Sequence, residues 1–125
     1  MPAYNEGFFS PPAPVVMARL RNPDNGATRD DVLLLIDSGA DVTLLPTSAV
    51  AALGIESSGA YELIGFDGAK SFADAARADL VLLNRTFRGR FLLVNQEVGI
   101  LGRDVLNSLA LLLNGPSLAW EEHAE

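Results

Sequence analysis

The stretch that most constrains this chain is "VLLLIDSGADVTLL", residues 32 to 45. Val32 to Ile36 is an unbroken apolar run with no polar alternation. Such a run predicts a strand covered on both faces. It ends on a carboxylate, Asp37, followed by Ser38 and Gly39. A charge there is costly unless it is paired or hydrogen-bonded. Taken alone, Asp-Ser-Gly is turn chemistry first: Asp accepts backbone N–H groups and Gly takes unusual φ. The tripeptide fixes a strand and a sharp turn, and leaves open whether Asp37 does more.

The flanking sequence continues in strands. "PVVMARLRN" and "DVLLLID" surround a Pro-Asp-Asn-Gly turn and read as a hairpin with a long loop. "VTLLP" is another strand. "TSAVAALGI" reads as a short helix, capped by Thr47 or Ser48 and ended by Gly54. Successive strands follow, with turns at Gly65 to Gly68 and near Asn84-Arg85. "GILGRDVLNSLALLL" is a strand that turns at Gly102 into a helix. Val105, Leu106, Leu109 and Leu112 or Leu113 recur there at helical spacing. Asn-Gly-Pro stops that helix, and "SLAW" is a last short strand. The expected layout is an extended arm over 1–13, one domain over 14–120 and a polar tail over 121–125.

Bulk composition narrows the function. The 125 residues fit one domain, and 49% hydrophobic residues supply a real core. A net charge of −7 argues against a nucleic-acid surface, which needs clustered Lys and Arg. There are no cysteines, so disulfides and thiolate chemistry are excluded. No apolar run approaches a membrane span. The N-terminus lacks the basic start and apolar segment of a signal peptide, so a cytoplasmic location is expected. The one histidine, His123, sits in the polar tail, where a ligand or a triad base is not expected. No phosphate-binding glycine loop appears. Carboxylates remain, and Asp37 is the one set in apolar surroundings.

Two motifs, in order, give Asp37 a context. The first is the apolar strand ending in Asp37-Ser38-Gly39-Ala40. The second is "GILGRD", residues 99 to 104, an apolar strand that turns through Gly102 and Arg103 into a helix. Together they resemble the retropepsin-like aspartic proteases, the single-domain relatives of pepsin that include retroviral proteases. A Gly-containing hairpin, "IGFDG", lies where that family carries its flap, and "LVLLNRTFRGRFLLV" precedes the second motif as a further hairpin. The resemblance covers residues 14 to 120. It implies an all-β acid-protease barrel or sandwich, with a short helix after the active-site strand and one C-terminal helix.

The resemblance also implies roles. Asp37 matches the catalytic aspartate, Ser38 the hydroxyl residue that braces the site across a dimer, and Gly39 the glycine beside the substrate backbone. Ala40 and Asp41 fall where substrate backbone is held, and Arg103, after Gly102, matches the arginine that supports Asp41. Val42, Leu44 and Ile100 match pocket-lining positions. Gly65, Phe66, Asp67 and Gly68 form the flap tip over a bound peptide. Departures are visible: Asp67 puts a charge at that tip, a helix follows Pro46, and the chain ends do not match the retroviral dimer pattern.

Carboxylate-driven peptide hydrolysis needs one base and one acid. This chain offers one Asp-Ser-Gly, so the second aspartate has to come from another copy, across a two-fold axis. The expectation is a homodimeric aspartic endopeptidase acting on peptide or protein substrates. It needs no cofactor and no metal, and neither a nucleic acid nor a membrane is expected as a partner. Apolar pocket positions point to hydrophobic side chains flanking the cut. The alternatives are a catalytically silent dimerisation or peptide-binding module with this fold, and an unrelated all-β protein whose motifs are ordinary turns.

Overall fold

The computed structural model describes residues 2–65 and 67–123. The expected first hairpin forms: β2 (Ala13–Arg21) pairs antiparallel with β3 (Thr28–Ile36). A two-residue strand, β1 (Tyr4–Asn5), folds back onto the start of β2. β4 (Leu44–Pro46) runs straight into helix α1 (Thr47–Ala52). Pro46, not Thr47 or Ser48, is the N-cap, and no side chain caps the helix. Gly54, at φ +70°, lets the chain leave it.

β5 (Gly59–Ile64), β6 (Lys70–Leu82) and β7 (Arg85–Val94) form a meander. Leu83 and Asn84 both take positive φ in the tight turn between β6 and β7, the conformation a two-residue hairpin loop requires. β8 (Gly99–Leu101) then inserts between β3 and β4. It runs parallel to β3 and antiparallel to β4. The strand order is β1-β2-β3-β8-β4-β7-β6-β5, and β2 also pairs with β6. That second pairing curls the sheet back on itself around one core. The fold is all-β, as the sequence implies.

Two expectations need correction. The C-terminal helix, α2, spans only Arg103–Leu106. Leu111 to Asn114, expected at its end, form strand β9, paired with β10 (Ala119–Glu122) across a 3₁₀ turn at Gly115–Ser117. A short leucine run fits either periodicity, and the hairpin partner decides. Nor is β3 fully covered on both faces. Val32 and Leu34 are buried, while Leu33 and Leu35 on the other face are half-buried.

The core holds Leu20, Leu34, Leu45, Leu80, Leu101 and Trp120, each nearly inaccessible. Trp120 anchors β10 inside it, and its indole N–H donates to the Val15 carbonyl at 2.8 Å. The N-terminal segment is held against the same hairpin by Tyr4 N–H to Leu118 O and Trp120 N–H to Pro2 O. Among the described residues no helix is long and apolar enough to cross a membrane.

Candidate active site

The insertion of β8 brings the two sequence motifs together. β3 and β8 are parallel, with Ile36 beside Leu101, so both end on the same side of the sheet. The segment from Asp37 to Thr43 must cross the end of β8 to reach β4. There it meets the turn at Gly102. Asp37 N–H donates to Leu101 O at 3.1 Å, which extends the ladder one residue past β3. Arg103 N–H donates to Ala40 O at 2.9 Å, and Asp104 N–H to Asp41 O at 3.3 Å.

Side chains complete the clasp. Arg103 donates one Nη–H to Ser38 O at 2.7 Å, and its other Nη pairs with the Asp41 carboxylate. Thr43, wholly buried, donates its hydroxyl to Asp104 Oδ1 at 2.7 Å. Its Oγ1 accepts from Gly102 N–H at 3.1 Å, and its own N–H donates to Asp104 Oδ2 at 3.1 Å. A Cβ on Gly102 would sit 2.5 Å from the Val42 carbonyl carbon and oxygen. Only glycine permits this approach.

The clasp leaves Asp37 half-buried at the open end of the sheet, with Ser38 and Gly39 exposed beside it. The enclosed carboxylate the sequence suggested is thus not enclosed by its own chain. One carboxylate oxygen accepts from Gly39 N–H at 2.9 Å. The other has no hydrogen-bond partner among the described residues.

Two cavities flank this region. The larger, about 740 Å³, lies between the Asp41–Thr43 segment and the β5 hairpin, with Val42, Tyr61, Ile64 and Leu92 in its walls. The smaller, about 450 Å³, is lined by Leu35, Val98 and Ile100 together with Phe8 and Phe9. Leu44 lines neither; it sits in the sheet as the cross-strand partner of Ile100. The β5–β6 hairpin turns at Gly65 to Gly68, where Gly68 takes φ +81°. Asp67 closes that turn by accepting from Ala69 N–H at 2.9 Å, so the charge at the tip has a local task. Phe66 lies outside the described residues.

The signature of the family described as retroviral aspartyl protease matches residues 12–114.

The chain belongs to that family.

Among solved structures, EIAV protease complexed with the inhibitor HBY-793 is similar in fold. The identity is 23% and the TM-score 0.56, over 84% of this chain and 91% of that one. No curated protein sequence matches. The arrangement of this family member brings together Asp37, Ser38, Gly39, Ala40, Asp41, Gly102 and Arg103. It leaves Gly65, Asp67 and Gly68 on a separate hairpin. Sequence reasoning missed Thr43 and Asp104, the pair that ties the loop down. The available signal was a lone hydroxyl between Val42 and Leu44. It also missed Tyr61, whose hydroxyl is held by Arg90 Nη1–H at 2.6 Å inside the larger cavity.

Proposed function

We propose that this chain is an aspartic endopeptidase active as a homodimer, with one Asp37 from each copy forming the catalytic pair. The observation that carries the reading is the clasped Asp37 loop: it fixes the carboxylate in place yet leaves one oxygen free and the site half-open. Two carboxyl groups about 3 Å apart do not both ionise, so such a pair holds one proton, as in the aspartic-protease dyad. The ionised Asp37 takes a proton from water as the oxygen attacks the peptide carbonyl carbon. The partner's Asp37 gives its proton to the carbonyl oxygen. The tetrahedral diol then collapses: one of its hydroxyls returns a proton to the partner's Asp37, the C–N bond breaks, and the amine leaves with the proton the base had taken.

Other features support this reading. Gly39 carries no side chain where the substrate backbone would approach. Asp41, held by Arg103, offers an acceptor to a substrate N–H. The β5–β6 hairpin, with Gly65, Asp67 and Gly68 at its tip, would close over the bound peptide. The apolar walls around Val42 and Ile100 favour hydrophobic side chains beside the cut.

The test is cleavage of a mixed peptide library, from acidic to neutral pH, by wild type and Asp37→Asn. Cleavage by the wild type alone is expected, with the variant still dimeric by sedimentation. An active Asp37→Asn chain would refute the assignment.

A further inference from the structure

The outer face of the meander carries a row of cations. Arg77 on β6 is the direct cross-strand partner of Arg90 on β7, and Asp79 is that of Arg88. Arg21 on β2 pairs with Asp79 from the other side. Side chains alternate along a strand, so these residues share one face, opposite the core residues Ala76, Ala78 and Leu80. Four of the chain's nine basic residues thus stand together, on a molecule of net charge −7. Like charges directly opposite each other destabilise a sheet. Two carboxylates offset them among the described residues. Asp24 meets Arg77 at 2.8 Å, in a pair more than half exposed on both sides. Asp79, buried, reaches Arg88 at 3.9 Å. Arg21 and Arg90 have no carboxylate within ion-pair distance among the described residues.

The same face leads into the larger cavity. Arg90 lines that cavity, and its register partner Arg77 lines a further one, of about 500 Å³, with Arg21, Asp79 and Arg88. The two cavities therefore adjoin across a single pair of residues. The acids of the larger cavity are already engaged: Asp41 by Arg103, Asp104 by Thr43, and Glu62 by Lys70 at 3.5 Å. Arg90 donates to the Tyr61 hydroxyl at 2.6 Å, which leaves the tyrosine O–H free to donate onward. A guanidinium and a phenol placed together in this way match a carboxylate. Arg88 and Arg90 stand two residues apart on one strand, about 7 Å, the repeat of alternate side chains in an extended peptide.

We propose that this face is an exosite for an acidic stretch of the substrate: beyond the residues held in the larger cavity, Asp or Glu side chains at alternate positions dock on Arg90, Arg77 and Arg88. The inference rests on the endopeptidase reading for its place in the reaction, and on the arginine row alone for the binding. Two observations favour a peptide over a nucleic acid. The row opens into a cavity with Leu63 and Leu92 in its walls, which a phosphate backbone would leave bare. Asp79 within the row and the net charge of −7 both repel a continuous polyanion. Each exposed ion pair contributes little by itself, so the row acts through several contacts and by steering acidic chains toward the site.

The probe is acetyl-hexaglutamyl-amide, titrated into the full chain and followed by amide NMR. Saturable shifts at Arg77, Arg88 and Arg90 are expected in wild type, with affinity falling about tenfold as salt rises from about 0.05 to 0.5 M. Arg77→Glu sets a carboxylate opposite Arg90, the counter-ion the substrate would bring, and is expected to lose about tenfold in affinity. Arg77→Gln, which only removes the charge, is expected to lose about threefold. Affinity unchanged in both variants, or no saturable shift in wild type, overturns the exosite. Tighter binding of oligodeoxythymidylate with shifts at the same amides also overturns it, in favour of a nucleic-acid surface. Cleavage then separates the two readings. A peptide that the wild type cuts is remade with a run of Glu or a run of Gln added at each end. The Glu form is expected to have a KM about tenfold lower at equal kcat, an advantage that Arg77→Glu loses while it cuts the Gln form as wild type does. Equal KM for the two forms in wild type overturns the substrate role. If the acidic probe binds as expected and no chain cleaves any peptide, the binding face stands and the endopeptidase reading falls alone.

Discussion

Replacing Thr43 tests the clasp that holds the Asp37 loop. Thr43→Val keeps the shape and removes the hydroxyl. The Gly102 N–H, in a buried turn, loses its acceptor, and Asp104 Oδ1 loses a donor at 2.7 Å. An orphaned buried donor costs about 1–3 kcal/mol, and a hydrogen bond to a charged group is worth about 1.5–3 kcal/mol. The two losses share one atom and do not add fully, so about 3 kcal/mol is expected. Thr43→Ser makes the opposite change, keeping both hydrogen bonds and losing one buried methyl, for about 1 kcal/mol. Urea unfolding at one fixed protein concentration reads the difference, since the stability of the proposed dimer would depend on concentration. With an m-value of about 1–3 kcal/mol/M, the Val variant's midpoint moves down by about 1–3 M and the Ser variant's by less than half of that. A Val variant as stable as the Ser variant would show that the hydroxyl is not holding the turn.

Further outcomes follow from the same contacts. Gly102→Ala drives a methyl into the Val42 carbonyl at 2.5 Å; backbone has to move, and a loss of about 1–3 kcal/mol in urea unfolding is expected. Trp120→Phe keeps most of the buried ring but orphans the Val15 carbonyl, so thermal unfolding shifts down by an amount matching about 1–2 kcal/mol. Arg103→Lys changes stability by less than about 1 kcal/mol, because its pair with Asp41 is largely exposed. Lys has no planar fork to reach Ser38 O and Asp41 together. Peptide cleavage is therefore expected to fall further than stability does, and a parallel fall in both would contradict this division.

The elements around Asp37 were legible because their signals are local. An apolar run, Asp-Ser-Gly, and a Gly-Arg turn can each be read in a few residues, and that they meet was implied by the family resemblance they carry together. The contacts that lock them were not legible. Thr43 and Asp104 stand 61 positions apart, and no local pattern links a threonine just before a strand to an acid in a helical turn. The C-terminal segment misled for a related reason. Leu109, Leu112 and Leu113 have helical spacing, yet β9 forms because Trp120 is drawn into the core and brings β10 alongside. The N-terminal segment looked like an arm because its closing strand, β1, has only two residues.

The central claim is that each working site uses one Asp37 from each of two chains. Mixing tests it most directly. Wild-type chain is combined with increasing Asp37→Asn chain at constant total concentration, allowed to exchange subunits, and assayed for peptide cleavage. If two aspartates are required, random pairing leaves about one quarter of the activity at an equal mixture, since only wild-type pairs cut. A fall to only about one half, in proportion to the wild-type chain present, would mean that each chain cleaves alone and would contradict the account.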